Sequence, residues 1–298
     1  MKIAGVTMTY NDGYKIKDWK SHYNLYREEL DYYVIVDNGS EDEYISLLKE
    51  TFPGEKIIER DNNGGCTAAY NDGIKDILKH TDADAIVIIG NDIRTSPNCL
   101  SRMYDYLQSN KDVGIISTAI LHIDSDILDN FGHTISYFGT ITECDHGKKI
   151  SDISEKAKNT ELVTGGFYMA TREFYEHVGL QDEKLFMYSD EIDTALRAKK
   201  AGYKVAVLSE VFAWHWHINQ PGQLSRKPAS NYLVSRNRVY VARKHYGFFH
   251  ATVIFLTYTF AVPFNLLCHG YKEKAKYSFL GGLNGLRGNM EMNKYTQF

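Results

Sequence analysis

A chain of 298 residues, 43% hydrophobic and 24% charged, has ordinary globular composition and is long enough to bury a sizeable core, as one large domain with an appendage. Its formal charge of −4 gives no overall footprint for nucleic acid, although Lys and Arg gather after residue 225, so any basic surface is local. Cys66, Cys99, Cys144 and Cys268 form no C-x-x-C pair, which argues against a zinc knuckle or a disulfide framework and for a reducing, cytosolic setting.

Met1 to Val6 opens directly as a strand-like run, without the basic and apolar regions of a secretory leader, so secretion is not expected. Short apolar runs recur at Ile3 to Met8, Tyr33 to Val36, Lys56 to Glu59, Ala85 to Ile89 and Val113 to Ser117. Their brevity and β-branched content predict strands buried on both faces, hence a parallel sheet covered by helices. Helical spacing fills the gaps at Trp19 to Leu30, Glu43 to Thr51, Thr67 to Lys79 and Ser101 to Ser109. In such sheets ligands sit beyond the carboxyl ends of the strands. Those ends read Thr9-Tyr10-Asn11, Asp37-Asn38-Gly39-Ser40, Asp61-Asn62-Asn63-Gly64-Gly65 and Gly90-Asn91-Asp92. Each alone suits a turn; four on one rim point to a binding site.

Residues 131–158 are polar and glycine-bearing, compatible with short antiparallel strands or a mobile loop. Glu161 to Ala170 reads as a strand, and Lys204 to His217 as a long one in which His215 and His217 alternate with Trp214 and Trp216 and share a face. Between them Ser189-Asp190-Glu191-Ile192 opens a helix, Asp193 to Ala201. Acids in a first helical turn lie against backbone N–H groups, which keep them ionised and directed, as a general base requires. The same placement also serves Ser189 as a plain N-cap with acids complementing the helix dipole. Asp193 and Arg197 are spaced as an i, i+4 surface pair. Ala251 to Cys268 runs eighteen residues without a formal charge yet contains Pro263 and Asn265. It reads equally as a core helix or as one that meets a membrane face or a partner.

Taken together, Val34-Ile35-Val36-Asp37-Asn38-Gly39-Ser40, Asn63-Gly64-Gly65 with Asn71, Gly90-Asn91-Asp92-Ile93, and Phe186 to Asp193 with Arg197 and Gly202-Tyr203 resemble family 2 inverting glycosyltransferases, especially the rhamnosyltransferase-like branch. The resemblance runs over residues 1–245, and Arg236-Asn237-Arg238 and Gly281-Gly282 to Gly288 are similar to that branch's tail. It implies an α/β GT-A fold with a mostly parallel central sheet flanked by helices. Residues 1–125 would form the nucleotide-sugar-binding half, 126–245 the acceptor and catalytic half, and 246–298 a helical, membrane-associating appendage.

The resemblance also implies roles. Asp37 would accept hydrogen bonds from the nucleotide base, with Thr9, Asn11 and Asn38 around the nucleoside. Gly64 and Gly65 would let backbone approach the nucleotide, and Asn71 and Asn91 would line the same site. Asp92 would be the last acid of a D-x-D element that binds Mg²⁺ or Mn²⁺ on the diphosphate. Gly90 stands where the first acid is expected, which brings in His215 or His217 as further ligands. Glu191 would be the catalytic base, and Asp190 would hold the acceptor or the loop, in the reverse of the family's usual Glu-Asp order. The implied donor is dTDP-rhamnose or a UDP-hexose, and the implied acceptor is a surface glycan or a lipid-linked intermediate. The implied setting is cytoplasmic, at the inner membrane face, with oligomerisation left open.

Two other classes compete. A dinucleotide enzyme would want G-x-G-x-x-G after the first strand, where this chain has Thr9-Tyr10-Asn11-Asp12-Gly13, and a sugar nucleotidyltransferase would want a glycine-rich phosphate loop near the N-terminus. A non-catalytic carbohydrate- or nucleotide-sugar-binding protein of the same fold is the alternative that the altered D-x-D encourages.

Overall fold

The computed structural model describes residues 1–216, 227–292 and 295; His217, one of the expected metal ligands, lies outside the described residues. The expected alternation is present as β1 (Ile3–Thr9), α1 (Ile16–Arg27), β2 (Tyr32–Asp37), α2 (Asp42–Thr51), β3 (Lys56–Glu59), α3 (Gly65–His80) and β4 (Ala85–Ile89). There follow β5 (Ile93–Thr95), α4 (Cys99–Ser109), β6 (Val113–His122), β7 (Leu128–Asn130), β8 (His133–Ile135), β9 (Ile141–Glu143), β10 (Ala157–Thr160), β11 (Phe167–Thr171), α5 (Arg172–Val178), α6 (Asp190–Lys200) and β12 (Lys204–His215). The large sheet runs β10-β12-β6-β11-β4-β1-β2-β3, with β5 on β12 and β7 on β6. Strands β3, β2, β1 and β4 are parallel, whereas β11 is antiparallel to β4 and β6. The α/β architecture is thus a mixed sheet with a parallel first half.

β1, β2 and β4 are buried almost throughout, as continuous apolar runs require. Beneath them Trp19, Tyr23, Tyr26, Tyr33 and Phe52 form an aromatic core whose polar tips are paired in series. Trp19 Nε1 donates to Tyr26 OH at 2.9 Å, Tyr33 OH donates to Thr7 Oγ1 at 2.5 Å, and Thr7 donates to the Ile89 carbonyl at 2.7 Å. Burial pushes the Tyr26 phenol up to about 12, so these hydroxyls stay neutral donors.

Expectation and structure part in a few places. Glu161 to Gly166 stays outside β11, because Phe167 N closes a turn onto the Thr164 carbonyl (3.2 Å) and the Gly166 carbonyl accepts from Gly90 N (2.7 Å). Residues 131–158 carry β8 and β9, paired as a separate ladder, and the start of β10. Helix α6 starts at Asp190 rather than Asp193.

By compactness the described chain falls into two units: residues 1–134, 143–181 and 194–216, which carry the large sheet, and residues 135–142, 182–193, 227–292 and 295. The second contains α7 (Pro228–His245), α8 (Phe248–Leu256), α9 (Val262–Cys268) and α10 (Lys272–Arg287). A π-helical segment, Thr257–Ala261, joins α8 and α9. The joined helix, Phe248–Cys268, has a mean hydropathy of 1.7 and is long and apolar enough to cross a membrane by length and composition alone.

Ser278, Gly281, Gly282 and Gly285 are buried at i, i+3, i+4 and i+7 on α10, so they share one face. A methyl at Gly281 would overlap the Tyr232 carbonyl, one at Gly285 the Arg236 carbonyl, and one at Gly282 the Thr259 side chain. Backbone-to-backbone approach of α10 and α7 therefore explains the tail glycines. In an exposed helix interior Gly→Ala would stabilise by about 1 kcal/mol; here overpacking reverses the sign, and Gly281→Ala is expected to destabilise by about 1–3 kcal/mol. A lower thermal midpoint is the expected result, and an unchanged or higher one would show that the helices do not touch there.

Candidate active site

Parallel register places the ends of the first strands at one level, with Thr9 opposite Asp37 and Asp37 opposite Glu59. Asp37 is fully buried; its Oδ2 accepts from Gly39 N (3.2 Å) and Ser40 N (3.0 Å), while Oδ1 has no hydrogen-bond partner. An orphaned buried acceptor costs about 1–3 kcal/mol, which a ligand N–H would recover. Thr9 Oγ1 bonds the Tyr44 hydroxyl and Asp12. Asn11, at φ +50°, accepts from Glu41 N through its side chain (3.0 Å) and donates its own N–H to Ser40 Oγ (2.8 Å). A cleft of about 340 Å³ on this rim is lined by Asn11, Tyr14, Tyr44 and Leu47 among others.

The corner after β4 is built by pairing of β5 with β12, which sets His215 opposite Ile93, and by a hydrogen bond from Trp216 N to the Asp92 carbonyl (3.0 Å). His215 Nε2 lies 3.7 Å from Asp92 Oδ1. The Lys15 ammonium lies 3.4 Å from Asp12 and 3.6 Å from Asp92, and Asn91 Nδ2 donates to Asp12 at 2.7 Å. Burial alone would raise the Asp92 carboxyl, but the neighbouring His215 imidazole and the Lys15 charge outweigh it and hold it well below the usual carboxylate range. Asp12 and Asp92 thus share the Lys15 ammonium, and Asp92 also faces His215, an oxygen and a nitrogen donor of the kinds that divalent ions take. A Cβ at Gly90 would press on Asp92 Oδ1 (2.8 Å) and the Gly166 carbonyl (3.3 Å), a steric reason for glycine in place of an acid. Asp12 and Lys15 were not singled out from sequence; their i, i+3 spacing directly after the first strand is the signal that could have found them.

Other expected binding residues brace the backbone. Asn38 donates to Asn63 Oδ1 (3.0 Å) and the Gly65 carbonyl (3.2 Å) and accepts from Gly64 N (3.2 Å), fixing the glycine turn before α3. Gly65 has φ +82°, and a side chain at Gly64 would meet Arg60 and Ala68. Asn71 is buried, and its amide holds both the N–H (3.0 Å) and the carbonyl (2.9 Å) of Gln181.

In the second unit the acids follow a strained loop. Phe186, Tyr188 and Ser189 all have positive φ (64°, 70° and 65°), a conformation that costs non-glycine residues of order 1–3 kcal/mol each. The buried Asn237 side chain offsets this by donating to the carbonyls of Leu185 (2.8 Å), Met187 (2.8 Å) and Tyr188 (2.9 Å), and Arg236 donates to Leu185 as well (3.3 Å). Ser189 is no side-chain cap: its buried Oγ has no partner. Asp193 is no surface residue either, being fully buried against Lys244 Nζ (2.8 Å) and His245 Nε2 (2.7 Å). Arg197 bonds the Val178 carbonyl at 2.8 Å. Asp190 is buried while Glu191 is half-exposed. Burial, the neighbouring Glu191 charge and its hydrogen bond together push the Asp190 carboxyl well above its ordinary value.

Residues 19–179 match the family model of glycosyl transferase family 2. The chain is 25% identical over 214 residues to the low-salt glycan biosynthesis hexosyltransferase Agl10 of Haloferax volcanii, covering 69% of this chain and 65% of that protein. It is 26% identical over 264 residues to galactofuranosyltransferase GlfT2 of Mycolicibacterium smegmatis, covering 80% of this chain but only 40% of GlfT2. With the N-acetylglucosaminyl-diphospho-decaprenol L-rhamnosyltransferase of Mycobacterium tuberculosis the identity is 20% over 266 residues, 83% of this chain and 86% of the other. In fold it is similar to GalNAc-T7 solved with UDP, GalNAc and Mn²⁺ (TM-score 0.64, 14% identity, 93% of this chain and 55% of that one). It is also similar to the mannosyltransferase PcManGT of Pyrobaculum calidifontis solved with GDP-Man and Mn²⁺ (TM-score 0.61, 17% identity, 96% and 87%). With a GT-A fold and a match across more than half its length, the chain belongs to glycosyl transferase family 2.

Proposed function

We propose that this protein is an inverting glycosyltransferase that moves rhamnose or a hexose from a dTDP- or UDP-linked donor to a hydroxyl of a surface-glycan or lipid-linked acceptor. The observation that carries the donor assignment is the unpaired, buried Asp37 Oδ1 at the strand rim, an acceptor suited to a nucleobase N–H. Rhamnosyl-, hexosyl- and galactofuranosyltransferases among the relatives support the reaction class.

In this reading Thr9 and Asn11 help shape the nucleoside pocket around Asp37. Asn38, Gly64 and Gly65 set the backbone turn, Asn71 anchors Gln181, and Asn91 orders Asp12. Asp92 and His215, with Asp12, would hold a divalent ion, which would supply charge compensation for the departing diphosphate. Glu191 takes the proton of the acceptor hydroxyl as that oxygen attacks the anomeric carbon; the carbon–oxygen bond to the diphosphate breaks on the opposite side, inverting the centre. Buried Asp190, next to Glu191, would orient it, and the Asn237 clamp holds the preceding loop.

Glu191→Gln should retain donor binding, read as a thermal shift with UDP- or dTDP-sugar, and lose transfer by roughly 10²–10⁴-fold. Undiminished turnover would remove Glu191 from catalysis and favour the alternative of a sugar-binding protein. Because the folded-state value of Asp190 is raised, its stabilising contribution is complete below the unfolded carboxylate value and lost as pH rises towards the folded one. Asp190→Asn, which cannot ionise, should therefore gain stability relative to wild type as pH increases from 4 to 9, and a pH-independent difference in thermal midpoint would refute the raised value.

The acceptor side of the proposal places the enzyme at the cytoplasmic membrane face. Phe248, Phe249 and Phe264 are exposed on the apolar helix, and Lys272, Lys274 and Lys276 follow it. Sedimentation with anionic vesicles should fall when the three phenylalanines are replaced by serine; equal sedimentation of the variant would contradict membrane contact through this helix.

A further inference from the structure

On β6 and the segments that follow it, next to β12, a second group of metal-ligating side chains gathers in the sheet-bearing unit. His122 ends β6, Asp129 lies on β7, and His146 sits in the turn after β9. One potential ligand atom from each lies within 4.8 Å of the other two. His122 Nδ1 is 4.0 Å from Asp129 Oδ1, and the two imidazole rings meet edge to face at 5.6 Å. Glu143 brings a further carboxylate, 3.3 Å from His146 Nδ1.

Backbone bonds fix these positions independently of the side chains. His122 N donates to the Ile127 carbonyl (3.0 Å), Leu128 N to Lys148 (2.8 Å), Gly147 N to Leu128 (2.9 Å) and Phe131 N to Cys144 (2.9 Å). Asp145, at φ +58°, anchors the turn through Lys148 (2.8 Å) and Lys158 (2.7 Å). His146 Nδ1 also lies 2.7 Å from the Asp129 carbonyl. An imidazole that donates one N–H to a carbonyl presents the lone pair of its other nitrogen, the usual state of a metal-bound histidine. Both imidazoles are partly solvent-exposed, so an ion has an entry path.

We propose that His122, Asp129 and His146 form a second metal site, its fourth position taken by water, that takes a zinc-class transition-metal ion and clips the 143–148 turn to the ends of β6 and β7. Two imidazoles with a carboxylate favour such an ion over Mg²⁺ or Ca²⁺, which prefer all-oxygen surroundings. His122 is the ladder partner of His215, so this group borders the Asp92 corner on the neighbouring strand, but its three ligand atoms come from other residues.

The test titrates Zn²⁺ alone into chelator-treated, full-length protein carrying Asp92→Asn and His215→Ala, so that the first corner is disabled. Calorimetry and thermal midpoint are read together. One ion should bind and raise the midpoint, and adding His146→Ala, an exposed position, should weaken binding more than about tenfold. Co²⁺ in the wild-type chain supplies a visible absorption band that Zn²⁺ displaces, a readout that needs no variant. Absence of Zn²⁺ binding, binding unchanged by His146→Ala, or a Co²⁺ spectrum of a fully aquated ion would each overturn the proposal.

Discussion

The register of the parallel strands is the constraint on which the polar rim depends. β1, β2 and β4 are apolar along their length and buried on both faces, so their polar continuations begin only where the ladder ends. Parallel pairing in register brings those endings to one edge, Thr9 opposite Asp37, with Asn91 and Asp92 following β4. A slip of one residue would reverse every side chain and break up the group. The unpaired Asp37 oxygen and the grouping of Asp12 and Asp92 about Lys15 follow from that alignment, while β12 brings His215 to Asp92.

The acidic pair depends on a different device. Three positive-φ residues precede it, and strain of this kind persists only where the surroundings over-determine it. One asparagine side chain with three carbonyl partners, aided by the neighbouring arginine, does so here. Lys244 and His245 at the end of the same helix pair with Asp193, so α7 holds both the loop and the first turn of α6. This gives Arg236-Asn237 a physical role in the second unit, where from sequence it was only a recurring pattern.

Much of the first half was legible because its signals are local. Runs such as Ala85 to Ile89 lack a polar face, and the turn residues after them are chemically obvious. Asn38 and Asn71 illustrate the limit: their types suggested ligand contact, yet their amides meet Gly64, Gly65 and Gln181, partners set by chain packing. Gly281 and Gly285 similarly resembled a motif, while their need for glycine comes from two carbonyls of α7 distant in sequence. His122, Asp129 and His146 passed unremarked because their spacings match no metal motif and only strand pairing brings them together.

The alternating α/β order, the polar strand ends and the acids at a helix start can be read from residue order alone, since each follows from hydrophobic period and local backbone chemistry. Which of those polar groups stay unpaired, which brace the chain and which carboxyl is pushed up by burial is set by packing. Hydrogen-bond satisfaction and desolvation depend on neighbours far along the chain, as Asp37, Asn71 and Asp190 each show.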